Sequence, residues 1–314
     1  MPRARGANAK LAGAFETTYG TPPGSGFFPL PFVSETLGPE QELIEDDLLG
    51  NGRESYDPVE DVVVNDGTVV VPVDLRNFGY WLKLLFGNPA TTGSDPYTHI
   101  FTSGADSLPS LSAEAMMPDV PSYEMNYGLR ANSLQIGLSR SGLLNGSIEL
   151  VGKGALDRAS TSAAGTLATE LAVRRFRQAT GEIKREGTKL GSIVSAEVSF
   201  TNNLDKVETI QPDGEIEDVD PAKAMATGNL VTRYDSLTLH NDATNNTPVE
   251  LSFGWALSGG YSLIFNMPRV FLPRKKTPIE GPNGVQSSLN FLASGAEGAC
   301  ITATLVNDVA TYGA

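Results

Sequence analysis

A chain of 314 residues carrying 37 acidic and 23 basic side chains, formal charge −14, opposes phosphate backbones as a whole, which excludes nucleic-acid binding by charge neutralisation. Its one cysteine, Cys300, excludes an internal disulfide and a Cys-based zinc site, and no stretch reaches the ~18 consecutive apolar residues of a membrane helix. With 40% hydrophobic residues the chain has a folding composition, and 33 Gly with 20 Pro favour many short strands over long helices.

In chain order, residues 1–30 are rich in Gly, Pro, Ala and Thr and read as an arm with little structure of its own. No signal peptide is read there, which implies synthesis in a reducing cytosol. From Phe32 to Val73 the pattern is strands around a long acidic loop. Val62, Val63 and Val64, then Val69, Val70 and Val71, flank Asn65-Asp66-Gly67, a hairpin signal. Leu75, Phe78, Trp81, Leu82, Leu85 and Phe86 recur at helical spacing, with Asp74 able to cap the helix and Gly87 able to end it. Strands follow at 133–138 and 147–151. Small polar residues at 158–170 read as a linker. Beyond it, strands are expected near 171–179, 192–201, 229–234, 249–256, 261–266, 285–292 and 300–306, with a weaker helix at 236–240.

Eight positions recur 161 residues apart: Val33, Ser34, Leu43, Glu54, Asp57, Gly67, Val70 and Asp74 reappear as Val194, Ser195, Leu204, Glu215, Asp218, Gly228, Val231 and Asp235. Met117-Pro118-x-Val120 reappears as Met267-Pro268-x-Val270. The chain is therefore expected to be two tandem β-sandwich modules, each with a flanking helix, at 1–157 and 171–314. Fused copies can occupy quasi-equivalent places in a closed ring.

Catalytic patterns are not found. His99 and His240 are isolated and read as surface or turn residues; Trp81 and Trp255 read as core. No nucleophile elbow or phosphate-binding glycine loop is present, and the acids come in runs rather than as separated pairs. The run Asp213 to Asp220 misses the calcium-loop spacing. The expectation is no enzyme, no cofactor and no metal. Between Glu35 and Asp61 ten acids face one base, Arg53, and between Asp205 and Asp220 seven acids face Lys206. Bases cluster elsewhere. Glu45, Asp46, Asp47, Glu208, Glu215 and Glu217 are the acidic candidates, with Arg174, Arg175, Arg177, Arg274, Lys275 and Lys276 as their basic complement.

The stretches Leu43–Glu54, Asn65–Gly87, Val207–Glu215 and Thr302–Asp308 resemble the major tail tube proteins of long-tailed bacteriophages. That resemblance implies a mainly β fold whose inner strands close into a β-barrel around a lumen, in rings that stack into a tube. It implies a virion protein that assembles with itself, meets tape-measure, terminator and distal tail proteins, and lets double-stranded DNA pass without specific binding. The family ring usually has six copies of one module; duplication favours three chains here, with pseudo-sixfold symmetry. The rival readings are a carbohydrate-binding or adhesive tail component, a head–tail connector and, third, a carboxylate-based hydrolase. The acidic candidates are expected to face the lumen or the next ring.

Overall fold

The computed structural model describes residues 3–279 and 281–313. The first half places β1 (Lys10–Phe15), β2 (Phe28–Pro29), β3 (Ser34–Glu35), β4 (Glu40–Ile44) and β5 (Val59–Pro72) before α1 (Phe78–Phe86). It places β6 (Ala90–Gly93), β7 (Tyr97–Thr102), β8 (Leu111–Met117), β9 (Ser122–Ser139), β10 (Asn145–Gly152) and β11 (Gly154–Ala155) after it. The second half runs β12 (Gly181–Arg185), β13 (Thr188–Lys189), β14 (Ile193–Thr201), β15 (Asp205–Val207), β16 (Asp218–Asp220) and β17 (Met225–Arg233). Then come α2 (Thr238–Asn245), β18 (Val249–Ala256), β19 (Ser262–Phe271), β20 (Gln286–Ala293) and β21 (Thr302–Asn307). No described helix is long and apolar enough to cross a membrane.

All ladders are antiparallel. One run of hydrogen-bonded strands reads β3–β5–β10–β9–β14–β17–β20 and joins the two halves at β9–β14. Only the second part of β9 lies in this run. Its first part turns into another layer, where it pairs with β8, which in turn pairs with β1. A third run reads β6–β7–β21–β19–β18–β12–β13, so the hairpin β6–β7 of the first half completes a sheet of the second. The first run is open at β3 and carries no closed barrel within the chain.

The registers repeat. Ser34 pairs with Val70 and Ser195 with Val231, both partners shifted by 161. Val70 pairs onward with Ser147 and Val231 with Ser288, a shift of 141. Leu111 faces Leu129 and Val249 faces Val270, and each ladder then shifts register before the next pair, Ala113 with Asn126 and Leu251 with Met267. Ala12 meets Pro29 as Lys184 meets Lys189. At Gly67 a Cβ would lie 2.6 Å from the Thr36 carbonyl, and at Gly228 one would collide with the Glu197 carbonyl. Here glycine is required by a close backbone approach.

Several sequence expectations are corrected. Residues 10–15 are a buried strand in the presumed N-terminal arm, because Leu11, Ala12 and Ala14 enter the core. Asn65-Asp66-Gly67 makes no turn. β5 runs through it, paired with β10, and the buried Asn65 amide donates to the Gly154 carbonyl at 2.6 Å; cross-strand pairing overrides the local turn preference. Residues 171–177 are coil with isolated bridges at Arg175 and Arg177. The second helix lies at 238–245 rather than 236–240.

Helix α1 is nine residues long, too short to persist alone in water. It forms because Asp74 accepts the backbone N–H groups of Arg76, Asn77 and Phe78, and because every helix residue except Tyr80 is buried. Burial pushes the Asp74 carboxyl up, against the pull of those donors. The chain end completes the enclosure. The Tyr312 ring, 1% exposed, fills the space that Gly79 leaves open, and its hydroxyl donates to the Arg76 carbonyl at 2.8 Å. Lys83 donates to the Tyr312 and Gly313 carbonyls and lies 4.2 Å from the Phe15 ring centroid. Arg76 pairs with Asp308 at 2.5 Å. Replacing Tyr312 with Ala should cost ~3–5 kcal/mol in urea unfolding, the range for emptying a buried aromatic site; a cost below ~1 kcal/mol would contradict this account of the helix.

His99 is fully buried on β7, which corrects its reading as a surface residue. Nε2 faces two acceptors, the Val309 carbonyl (2.8 Å) and Asn307 Oδ1 (3.2 Å), so it carries the proton, while Nδ1 accepts from the Thr91 hydroxyl. Burial holds its pKa below the ordinary 6.5. The unfolded chain therefore binds this proton at a higher pH than the folded one. Stability should fall as pH drops below about 6.5, and the His99→Gln variant should show a shallower fall between pH 7 and 5 by chemical denaturation. Parallel pH profiles would contradict the assignment.

Candidate functional site

The first strand run presents two unlike faces. Val69, Val71, Ile148, Leu134, Ile136, Val198, Phe200, Leu230, Leu289 and Phe291 point into the core, and the alternate residues point outward. The outward residues line up across strands by register. One row reads Thr68, Glu149, Ser133, Thr201; the next reads Val70, Ser147, Gln135, Ser199, Thr227, Leu292. A third reads Gly137, Glu197, Asn229, Asn290, and a fourth Ser139, Ser195, Val231, Ser288. Glu149 and Glu197 are the charged residues of these rows.

Short hydroxyl and amide side chains dominate the face, and they bond to one another. Asn132 and Ser133 donate to Glu149 Oε2 at 3.1 and 3.0 Å, and Asn229 donates to Ser288 and Asn290 at 2.9 and 2.7 Å. Such a surface is well hydrated, and none of these four rows contains a cationic side chain to grip a phosphate; the exposed Arg233, next after Val231 on the same face of β17 and opposite Gln286, stands at their edge. Its sequence signal is the alternation of small polar residues at 133–139, 193–201 and 286–293, none of which is conspicuous alone.

The six acidic candidates lie away from these rows, on two arms. Glu45, Asp46 and Asp47 sit beyond β4, on the hairpin it makes with β5. This arm is exposed on both faces and also carries exposed Leu43, Ile44, Leu48, Val59 and Val62, with Leu49 96% exposed. The second arm, β15–β16 with its loop, holds Glu208, Glu215 and Glu217. It pairs Asp205 with Asp220 as the first arm pairs Ile44 with Val59. Instead of projecting, it folds onto the first half. Lys206 pairs with Asp66 at 2.6 Å, Arg130 with Asp218 at 2.9 Å, Val219 is buried, and the Tyr127 hydroxyl donates to Glu215. Burial first and the Glu215 carboxylate second raise the Tyr127 phenol above its ordinary range. Glu208 and Glu217 remain exposed, the latter accepting from Thr209.

The basic candidates are also divided. Arg174 donates to Ser258 and stacks toward Tyr261, Arg175 donates to Asn145, and Arg177 is exposed. Arg274, Lys275 and Lys276 stand exposed in the coil that follows β19. Within one chain none of them meets the acidic candidates.

Tyr127→Phe should release the second arm: amide exchange at 205–220 should speed by an amount matching ~1–3 kcal/mol, the worth of a hydrogen bond to a charged group, with core strands unchanged. Unaltered exchange there would contradict the role given to this contact.

In comparison with known protein families, residues 6–293 match the family described as "Phage tail tube protein". No curated protein matches the chain.

Proposed function

This chain belongs to the phage tail tube protein family, so its role is structural and its place is the virion tail, and from that premise we propose that three copies close into a ring whose stacked repeats form the conduit for double-stranded DNA. The observation that carries this reading is the recurrence of strand registers at constant shifts of 161 and 141 residues. Two equivalent halves, at 1–157 and 171–314 with a linker at 158–170, would give three chains six quasi-equivalent positions. In this reading the 158–170 segment is a linker packed onto the first half, where Ser162 and Ala163 donate to the Glu114 carboxylate and Ala164 is buried.

The polar face of the first strand run is the proposed lumen wall. DNA carries about one charge per 1.7 Å of axis, so a wall of hydroxyls and amides with spaced carboxylates repels it weakly and lets it slide. Glu149 and Glu197 supply that charge in this reading. The exposed first arm, with Glu45, Asp46 and Asp47 among apolar side chains, suits contact with the neighbouring ring, since contiguous exposed apolar surface marks an interface. Tape-measure, terminator and distal tail proteins are the further partners at the tube's ends and axis.

Negative-stain electron microscopy of concentrated protein should show hollow tubes with three chains per ring by mass. A particle that never polymerises would overturn the conduit reading; six chains per ring would overturn the symmetry alone. Glu149→Lys with Glu197→Lys should leave tubes intact and slow DNA ejection, and reversal at Glu45, Asp46 and Asp47 should instead weaken stacking. Unchanged ejection in the first variant would remove Glu149 and Glu197 from the lumen.

A further inference from the structure

The seam between the halves pairs β9 with β14, from Ser133 opposite Thr201 to Ser139 opposite Ser195. Both partners have counterparts that lack a mate. The counterpart of β14, shifted by 161, is the edge formed by β3 and β4; Glu40 pairs with Val64 as Thr201 pairs with Met225. The counterpart of the second part of β9, shifted by 141, is the segment after β19, residues 272–279. In the chain this segment is coil, and Ile279 is 79% exposed.

We propose, resting on the ring reading above, that residues 274–279 of one chain become a strand when rings form and pair antiparallel with residues 35–40 of the next chain. Transposing the β9–β14 register sets Glu40 opposite Arg274, Leu37 opposite Thr277, Thr36 opposite Pro278 and Glu35 opposite Ile279. Charge agrees with this register: the β3–β4 edge carries Glu35, Glu40 and Glu42, and the incoming segment carries Arg274, Lys275 and Lys276.

Hydrogen-bond parity agrees at Leu37 and Pro278 and loses one bond at Pro39, the counterpart of Phe200, which brings no N–H to the open edge. The Thr36 N–H donates inward to the Thr68 carbonyl, so Leu37 turns its N–H to the open edge, where the Glu35 carboxylate accepts it at 2.8 Å. In the existing seam Gly137 turns away from β14, its carbonyl accepting from Gln178. Pro278 is the counterpart of Gly137. It therefore stands where the seam asks for no N–H, the position a proline tolerates in a ladder. β19 meets β20 at Val270–Ala293 and Phe271–Leu292 as β9 meets β10 at Arg130–Val151, so a strand continued through 274–279 would also cover the outer edge of β20.

The test joins Glu40→Cys with Arg274→Cys. Directly opposed residues outside the hydrogen-bonded pairs have Cα atoms about 4.5 Å apart, within disulfide reach, whereas Thr36→Cys with Arg274→Cys would be four residues out of register, ~13 Å away. Cys300 is buried and stays in both proteins. In oxidised tubes the first pair should cross-link neighbouring chains at least ~tenfold more than the second. Tubes visible by microscopy in which both pairs cross-link equally or not at all would overturn the register and leave the conduit reading standing; a wild-type protein that makes no rings would overturn both. A variant pair that fails to assemble is replaced by charge exchange. Glu40→Arg and Arg274→Glu should each reduce tube yield and together restore it, and failure of the double variant to recover would also overturn the seam.

Discussion

An antiparallel strand satisfies its backbone only when both neighbours are present, and this requirement organises the molecule. The β9–β14 ladder meets it between the halves and turns two sheets into one continuous run. At the ends of that run it is unmet: β3 and β4 offer one bare edge, and β20 is covered by β19 at only two residue pairs. A protein left in this state would expose sticky edges. The proposed ring gives a reason for such edges to persist, since closure between chains would remove them without further covering structure.

The two halves share a ladder pattern and differ in what covers it. α1 is apolar and enclosed by the chain end through Tyr312, Asn307 and Asp308. α2 is polar and shallow, held by the Arg185–Asp242 ion pair at 2.7 Å. The β6–β7 hairpin between α1 and β8 has no counterpart between α2 and β18, and it clamps β21 of the other half. The first arm projects and the second folds back. These departures tie the halves into one body, and they leave one arm available for a partner.

Much of this was legible in the sequence. The α1 stripe, its Asp74 and Gly87 ends and the central strands correspond to structure, and the spacing of 161 residues recurs in the Ser34–Val70 and Ser195–Val231 registers, because periodicity and backbone requirements are local or recur at fixed distance. Gly67 and Gly228 show the limit. Their recurrence was visible, yet the Asp-Gly pair suggested a turn, and the cause is a carbonyl in contact from a neighbouring strand. The N-terminal strand has a weak sequence signal because Ala and Gly bury without advertising hydrophobicity. The acidic runs are conspicuous by density, while the polar face, spread one residue at a time over six strands, is an arrangement only register reveals.

The most direct measurement is amide hydrogen exchange on the soluble protein and on the assembled tube. The seam account predicts new protection at 35–40 and 272–279 on assembly, with the β9–β14 ladder protected equally in both states. Assembly that leaves the exchange of those two segments unchanged would contradict it.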